Sequence, residues 1–236
     1  MTIIRLFYPQ SLSINFEANL DKSQSHYLMR VMRIKIGENF SLFNSTGEWL
    51  VKITKISKSI VAFRVIEKLK EQKITKEIWL AFSPIKSNYF NFMIQKATEL
   101  GVTRFIPIIF DRTIVRKFNI ERVKKIIIEA TEQSNRINLP ILEKPQNLKN
   151  FLINNSKKID LIFTDLNTSK KKLELKKTID KPICAIVGPE GDFNENERKL
   201  ILSFKDVKLI NINQNILRTE TATISIISII SYILRL

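Results

Sequence analysis

Five short apolar runs recur between residues 78 and 212: "IWLAF", "RFIPIIF", "LIFTDL", "ICAIV" and "VKLINI". Each has the length of a strand, and the central ones carry hardly any polar residue. Strands that are apolar along their whole length must be buried on both faces. A parallel sheet covered by helices on either side does this. The intervening sequence supplies the helices. "NYFNFMIQKATEL" places Phe90, Met93, Ala97 and Leu100 at helical spacing before Gly101, and a second helix is expected from a cap at Asn119 through Val123, Ile127 and Ala130 to about Ser134. Further helices should follow the last two strands. The expectation is an α/β domain with a mainly parallel sheet.

The first 68 residues follow a different rule. "FSLFNSTGEWLVKITKI" alternates about an Asn44-Ser45-Thr46-Gly47 turn, "SIVAFRVIEKL" reads as another strand, and one helical segment, "SQSHYLMRVMRI", interrupts them. Several short strands of this kind fit a small β-barrel. The charged connector "KEQKITKE" separates the two patterns, which puts a barrel at residues 1–70 and the α/β domain at 74–236.

Lys and Arg number 39 against 23 acidic residues, a formal net charge of +16, and this favours a polyanionic partner, nucleic acid first. Codon bias in an A/T-rich genome would also inflate Lys. Cys184 is the single cysteine and His26 the single histidine, so one chain offers neither a disulfide framework nor a cysteine-based or multi-histidine metal site, and no metal is expected. The N-terminus lacks the features of a signal peptide, so a cytoplasmic protein is expected. "ATISIISIISYILRL" is too short and too rich in serine for a membrane span and reads as a buried or interface helix.

In an open α/β sheet, ligands gather beyond the carboxyl ends of the strands. "ICAIV" stops there at Gly188-Pro189-Glu190-Gly191, where two glycines permit unusual backbone geometry or close approach and the proline stiffens the turn. Asn194 with Glu197 resembles a capping box, so a helix should begin just after. Alone, such a turn often does no more than reverse the chain. A second strand end, "INQNILRTETATISII", places Arg218, Thr219, Glu220 and Thr221 at the start of the last helix, with Thr and Glu suited to the cap and first turn. Arg218 stands against the helix dipole and calls for a partner.

"GPEGDF", "NILRTETA", "IQKATELGV" and "EATEQSNR", with "HYLMRVMRIKIGE" and "LFNSTGEW" in the first domain, resemble the ribosomal RNA small subunit methyltransferase E (RsmE) family of the SPOUT superfamily over nearly the whole chain. The resemblance implies a homodimeric enzyme that methylates N3 of a uridine in small-subunit (16S) ribosomal RNA, alone or within an assembling subunit, using S-adenosylmethionine. It also implies a PUA-like RNA-binding barrel and a C-terminal domain tied in a trefoil knot. The cofactor would lie among Thr164, Asp165 and Leu166, then Val187, Gly188, Pro189, Glu190 and Gly191, and lastly Ile212, Asn213, Ile216, Leu217, Arg218, Thr219 and Thr221. Arg218 would stabilise the uridine anion or fix the base, with Glu220 or Glu190 as candidate bases. Arg30, Arg33, Lys86, Arg112 and Arg136 would contact RNA, and Glu132 and Gln133 would line the site or a dimer interface. His26 is given no proton-transfer role.

The chain departs from the family pattern at three places. Asp192 stands where a second glycine is usual, Asn213 and Asn215 replace the glycine and arginine of a Leu-Gly-x-Arg stretch, and "PIKSNYF" lacks an acidic-basic pair. Asn213 could supply left-handed geometry, but Asn215 removes a charge. A catalytically weakened RNA-binding assembly factor, or a methyltransferase with another RNA target, are the alternatives these changes leave.

Overall fold

The computed structural model describes residues 4–72, 76–165, 168, 181–205 and 207–234. They fall into two compact units. The first comprises residues up to 72 together with Thr131–Leu139, a stretch nothing in the sequence pattern assigns there, and the second holds the remainder.

In the first unit, β1 (Arg5–Phe7), β2 (Glu17–Asn19), β3 (Asn39–Asn44), β4 (Gly47–Ser57) and β5 (Ile60–Lys70) form one sheet in the order β1-β3-β4-β5-β2. All neighbours are antiparallel except β1 and β3. The hairpin expected about residues 44–47 joins β3 to β4. Gly47 there has φ of +130°, and a Cβ on it would lie 2.3 Å from the carbonyl oxygen of Lys70, so only glycine closes the turn. The predicted helical segment is α1 (Lys22–His26) running into a π-helical turn, Tyr27–Val31. Leu28 from that turn joins a core in which Phe63 meets Tyr8 edge-on at 5.3 Å and Phe40 at 6.4 Å.

A buried ion pair, Arg5 with Glu48, stands on this sheet. Glu48 on β4 accepts from Arg5 Nε at 2.9 Å and from Ser41 Oγ at 2.9 Å, and Lys70 Nζ lies 3.2 Å away. Burial pushes the Glu48 carboxyl up, but its bonds to Arg5, Ser41 and Lys70 together outweigh that and hold it below the ordinary glutamate value. Arg5 also donates to the carbonyls of Glu132 at 2.8 Å and Arg136 at 3.0 Å, and Glu132 Oε1 accepts from the backbone N–H of Phe7 at 2.9 Å. These bonds fasten Thr131–Leu139 to β1.

The second unit is built on β6 (Ile78–Phe82), α2 (Ser87–Glu99), β7 (Arg104–Ile109), α3 (Ile120–Gln133), β8 (Ile141–Leu142), β9 (Gln146–Asn147), α4 (Leu148–Asn155), β10 (Asp160–Thr164), β11 (Ile183–Val187), α5 (Glu195–Leu202), β12 (Lys208–Ile210) and α6 (Thr219–Leu234). Its strands run β12-β10-β11-β6-β7-β8, with β9 also on β7, and every pairing is parallel. The five apolar runs are strands as expected. The short strands β8 and β9 and helix α4 were not anticipated.

Side chains alternate between the two buried faces of the sheet. Ala81, Ile106, Cys184 and Ile186 join Phe151 and Leu152 of α4 and Ile201 of α5 in one core. On the other face Phe82 meets Phe90 of α2 at 5.8 Å, and α2 packs along α6, where Thr223 Oγ1 lies 3.4 Å from Met93 Sδ. Each fully buried aliphatic or aromatic side chain of this kind contributes roughly 1.5–3 kcal/mol. Cys184 behaves as a small hydrophobe, with burial driving its thiol far above the usual range. The serine-rich α6 turns Ile226, Ile227 and Ile230 into the core, and among the described residues no helix is long and apolar enough to cross a membrane.

Candidate functional site

At the carboxyl ends of β10, β11 and β12 the second unit opens a cavity of about 440 Å³, within the ~300–1,000 Å³ typical of small-molecule clefts. Three strand ends wall it. Thr164 ends β10 and Asp165 follows it, Val187 ends β11 and Gly188 to Phe193 lead on toward α5, and Asn211 to Leu217 lead from β12 toward α6.

Local chemistry fixes each wall. The Asn194 side chain accepts from the Glu197 N–H at 2.8 Å and Glu197 returns a bond to the Asn194 N–H at 3.0 Å, so the expected capping box ends the second wall and starts α5. Gly188 is required by close approach: a Cβ there would lie 2.6 Å from the Phe193 ring. That ring stands edge-on to Phe110 at 5.1 Å and to Phe163 at 5.2 Å. Gly191 has little more room, since its Cβ would meet Arg112 Cβ at 3.3 Å, and Arg112 Nη1 donates to the Gly191 carbonyl at 2.9 Å. Left-handed geometry in this turn falls instead to Asp192, at φ of +61°, the position where glycine is usual in the family.

The third wall corrects two expectations. Asn213 does not take up left-handed geometry; its N–H donates to Asn211 Oδ1 at 3.1 Å and its own Oδ1 accepts from Asn215 N at 2.8 Å. Consecutive asparagine side chains thus brace a loop in place of glycine. Thr219 is the first residue of α6 rather than its cap, and its hydroxyl donates to the Gly188 carbonyl at 3.1 Å, joining the second and third walls.

Of the residues expected at a cofactor, Thr164, Asp165, Val187, Gly188, Pro189, Glu190, Gly191, Ile212, Asn213, Ile216, Leu217 and Thr219 come together on this one cavity. Leu166 lies outside the described residues. Arg218 and Thr221 are exposed and do not line it, and Arg218 instead places its guanidinium 5.6 Å from the Tyr89 ring. Glu220 is buried in the first turn of α6, also off the lining. Arg30, Arg33, Lys86 and Arg112 are exposed, as is His26. Arg136 is half-buried, and desolvation brings its guanidinium down to about 10. Gln133 is exposed, while Glu132 is engaged with the Phe7 N–H.

Sequence reasoning did not assign Asp192, Phe193, Arg198, Asn211, Asn215 or Ala222 to the cofactor site, and all six are on the lining. Arg198 is paired with Asp165, and a signal for it existed: like Arg218, it is a cation near a helix start, where the dipole opposes it. The ionisable groups on the lining are Asp165, Glu190 and Asp192 against Arg198, so the cavity is acidic although the chain carries +16. Among the described residues no group of acidic, histidine and cysteine side chains is arranged to hold a metal.

The family profile described as an RNA methyltransferase domain matches residues 71–231, and that of an RNA methyltransferase PUA domain matches residues 20–66. The fold is therefore that of an RNA methyltransferase domain joined to a PUA domain. The Rickettsia conorii protein named ribosomal RNA small subunit methyltransferase E is 36% identical over 95% of this chain and 93% of its own length. Its namesake in Buchnera aphidicola subsp. Acyrthosiphon pisum is 32% identical over 94% and 90%. A crystal structure of the Neisseria gonorrhoeae protein of that name, bound to S-adenosylmethionine, superposes with a TM-score of 0.89 at 26% identity over 98% of both chains. The chain belongs to the ribosomal RNA small subunit methyltransferase E family.

Proposed function

We propose that this chain methylates N3 of a uridine in small-subunit ribosomal RNA, with S-adenosylmethionine in the cavity at the ends of β10, β11 and β12. The observation that carries the reading is the acidic lining of that cavity in a strongly basic chain. Three carboxylates against one guanidinium repel a phosphate-bearing ligand and suit a nucleoside that carries positive charge. Gly188 supports the same reading, because the missing side chain there lets the Phe193 ring seat against the turn on the cavity lining.

When bound, S-adenosylmethionine supplies a methyl group already activated on a sulfonium. The chain's own task is to hold uridine N3 in line behind that methyl and to deal with the N3 proton. Arg218, exposed beside Tyr89 at the start of α6, stabilises the uridine anion. Exposure on the cavity wall supports Glu190 as the proton acceptor over Glu220, whose burial in the first turn of α6 suits a fixed charge at the helix N-terminus. Arg30, Arg33, Lys86 and Arg112 give phosphate contacts that confer affinity without reading sequence, and Arg136, half-buried, adds less. Family membership supports the homodimer, the trefoil knot and a cytoplasmic site of action in the same reading.

Calorimetric titration with S-adenosylmethionine, followed by mass spectrometry of nucleosides from small-subunit RNA incubated with enzyme and cofactor, tests this. Binding together with appearance of 3-methyluridine is the expected result. A methyl group found on another base or on ribose would overturn the assigned target, and absence of binding would overturn the cofactor.

A further inference from the structure

We infer that the second unit holds a further RNA site, a cavity at the carboxyl ends of β7 and β9 that takes one unpaired nucleotide with an amino-bearing base, adenine first. The inference rests on the RNA-substrate reading above and gives that RNA a contact to a base, where the arginines and Lys86 meet phosphates.

The cavity measures about 360 Å³, the size of a small-molecule cleft. Its apolar lining comes from Ile109 at the end of β7, Leu148 of α4 and Leu200 of α5. The polar lining is Asn147, Lys149 and Asn150 around the start of α4, with Asn196 and Glu197 at the start of α5.

Helix stability explains only two of these five. Asn147 caps α4 by accepting from the Asn150 N–H at 2.8 Å. Glu197 closes the capping box of α5, one oxygen on the Asn194 N–H at 3.0 Å and the other on the Asp111 N–H at 2.7 Å. Asn150 stands in α4 where a capping box needs Glu or Gln, and among the described residues its amide has no partner. The Asn196 amide has none either, and it caps nothing. Lys149 is a cation in a first turn that holds no acidic residue, where the dipole disfavours it. Three residues that serve no local purpose thus converge on one cavity, as ligand-binding residues do.

Their chemistry is that of a nucleotide. Asparagine offers a donor and an acceptor side by side and pairs in this way with a ring nitrogen and the amino group of adenine. Glu197 accepts from an amino group and repels the carbonyl oxygens of uracil. Lys149 suits the phosphate, and the three apolar side chains suit the base. Phosphate alone leaves the amides and the apolar lining unused. An apolar peptide side chain leaves Lys149 and the amides unpaired. A paired base cannot enter, so the nucleotide is unpaired. RNA is the favoured source over a free nucleotide because the chain carries +16. In the sheet β7 lies two strands from β11, roughly 10 Å at the usual strand spacing, so one single strand can lay its target at the first cavity and a neighbouring nucleotide at this one.

The test measures fluorescence anisotropy of short single strands of adenylate and of uridylate with the full chain and its Asn150→Ala, Asn196→Ala and Lys149→Gln variants, after thermal melting has confirmed that each is folded. Asn150→Ala and Asn196→Ala are each expected to weaken the adenylate strand about five- to tenfold and the uridylate strand less than about twofold, whereas Lys149→Gln weakens both alike. Calorimetric titration with S-adenosylmethionine should be the same for all four proteins. Equal losses on the two strands, or none, would overturn the inference. So would a loss of S-adenosylmethionine affinity in Asn196→Ala, which would show the change acting through α5 on the first cavity. Adenosine monophosphate that binds as tightly as the adenylate strand would hand the cavity to a free nucleotide and overturn RNA as its source. An unaltered chain that methylates small-subunit RNA without preferring adenylate overturns this inference alone, and one that binds no RNA overturns the proposed function with it.

Discussion

The hydroxyl of Thr219 donates to the carbonyl of Gly188 across 3.1 Å and 31 positions of sequence, closing one loop of the cavity on another. Thr219 is 5% exposed, so Thr219→Val removes the donor, leaves a poorly solvated carbonyl and costs about 1–2 kcal/mol. In a chain of this size that lowers Tm by roughly 2–8 °C. Differential scanning calorimetry measures it, and an unchanged Tm would show that the two walls are held together by something else.

Gly188→Ala is expected to destabilise by about 1–3 kcal/mol, as overpacking does, because the new Cβ meets a Phe193 ring held edge-on between Phe110 and Phe163. Placing Gly188→Ala in a Phe193→Leu background should recover part of the loss. Urea melts of the two single variants and the double variant measure that coupling, which vanishes if the clash is not with the ring.

Asp192 carries the positive φ of its turn. Asp192→Ala should cost about 1 kcal/mol because a left-handed residue with a Cβ and no side-chain acceptor is penalised, while Asp192→Gly should stay within about 0.5 kcal/mol of the parent. Equal losses for the two would mean that the Asp192 carboxylate, which accepts from Phe193 N–H at 2.8 Å, matters more than the backbone.

Glu48 is held below its ordinary value near 4.5 by Arg5, Ser41 and Lys70 despite burial. A depressed carboxylate stabilises the fold above the unfolded value, and that contribution is lost as pH falls from about 4.5 through the lower folded value. Glu48→Gln should therefore flatten the acid limb of the stability curve below pH 4.5. Arg5→Ala, which leaves the buried carboxylate to Ser41 and Lys70 alone, should cost less than the ~3–5 kcal/mol of a wholly unpaired buried charge at neutral pH. Denaturant melts from pH 3 to 7 separate these outcomes.

Arg30 is exposed on the π-helical turn of the first unit. If it meets a phosphate, Arg30→Gln weakens RNA of every sequence equally and lowers the slope of log affinity against log salt by roughly 0.7–1. Fluorescence anisotropy at several salt concentrations reads that slope, and a sequence-dependent loss would point to a base contact.

What was legible in the sequence was local. The capping box of Asn194 and Glu197 spans four residues, the apolar runs carry their own burial, and the loops that follow three of them lie where an α/β sheet gathers ligands. What was not legible depends on partners brought close by folding. Arg198 finds Asp165 across 33 positions, Gly188 is explained only by the Phe193 ring, and Asn213 brackets its loop by side-chain bonds that composition does not distinguish from a left-handed turn. The π-helical turn at Tyr27–Val31 escaped because helical periodicity cannot tell a wider turn from an ordinary one over five residues.

Because Thr131–Leu139 returns to the first unit, the chain cannot be divided into two self-sufficient pieces by one cut. A fragment ending near residue 72 would expose the Arg5 guanidinium and the Phe7 N–H that Glu132 and Arg136 now satisfy. Dissection of the first unit therefore calls for a splice that carries this nine-residue stretch along.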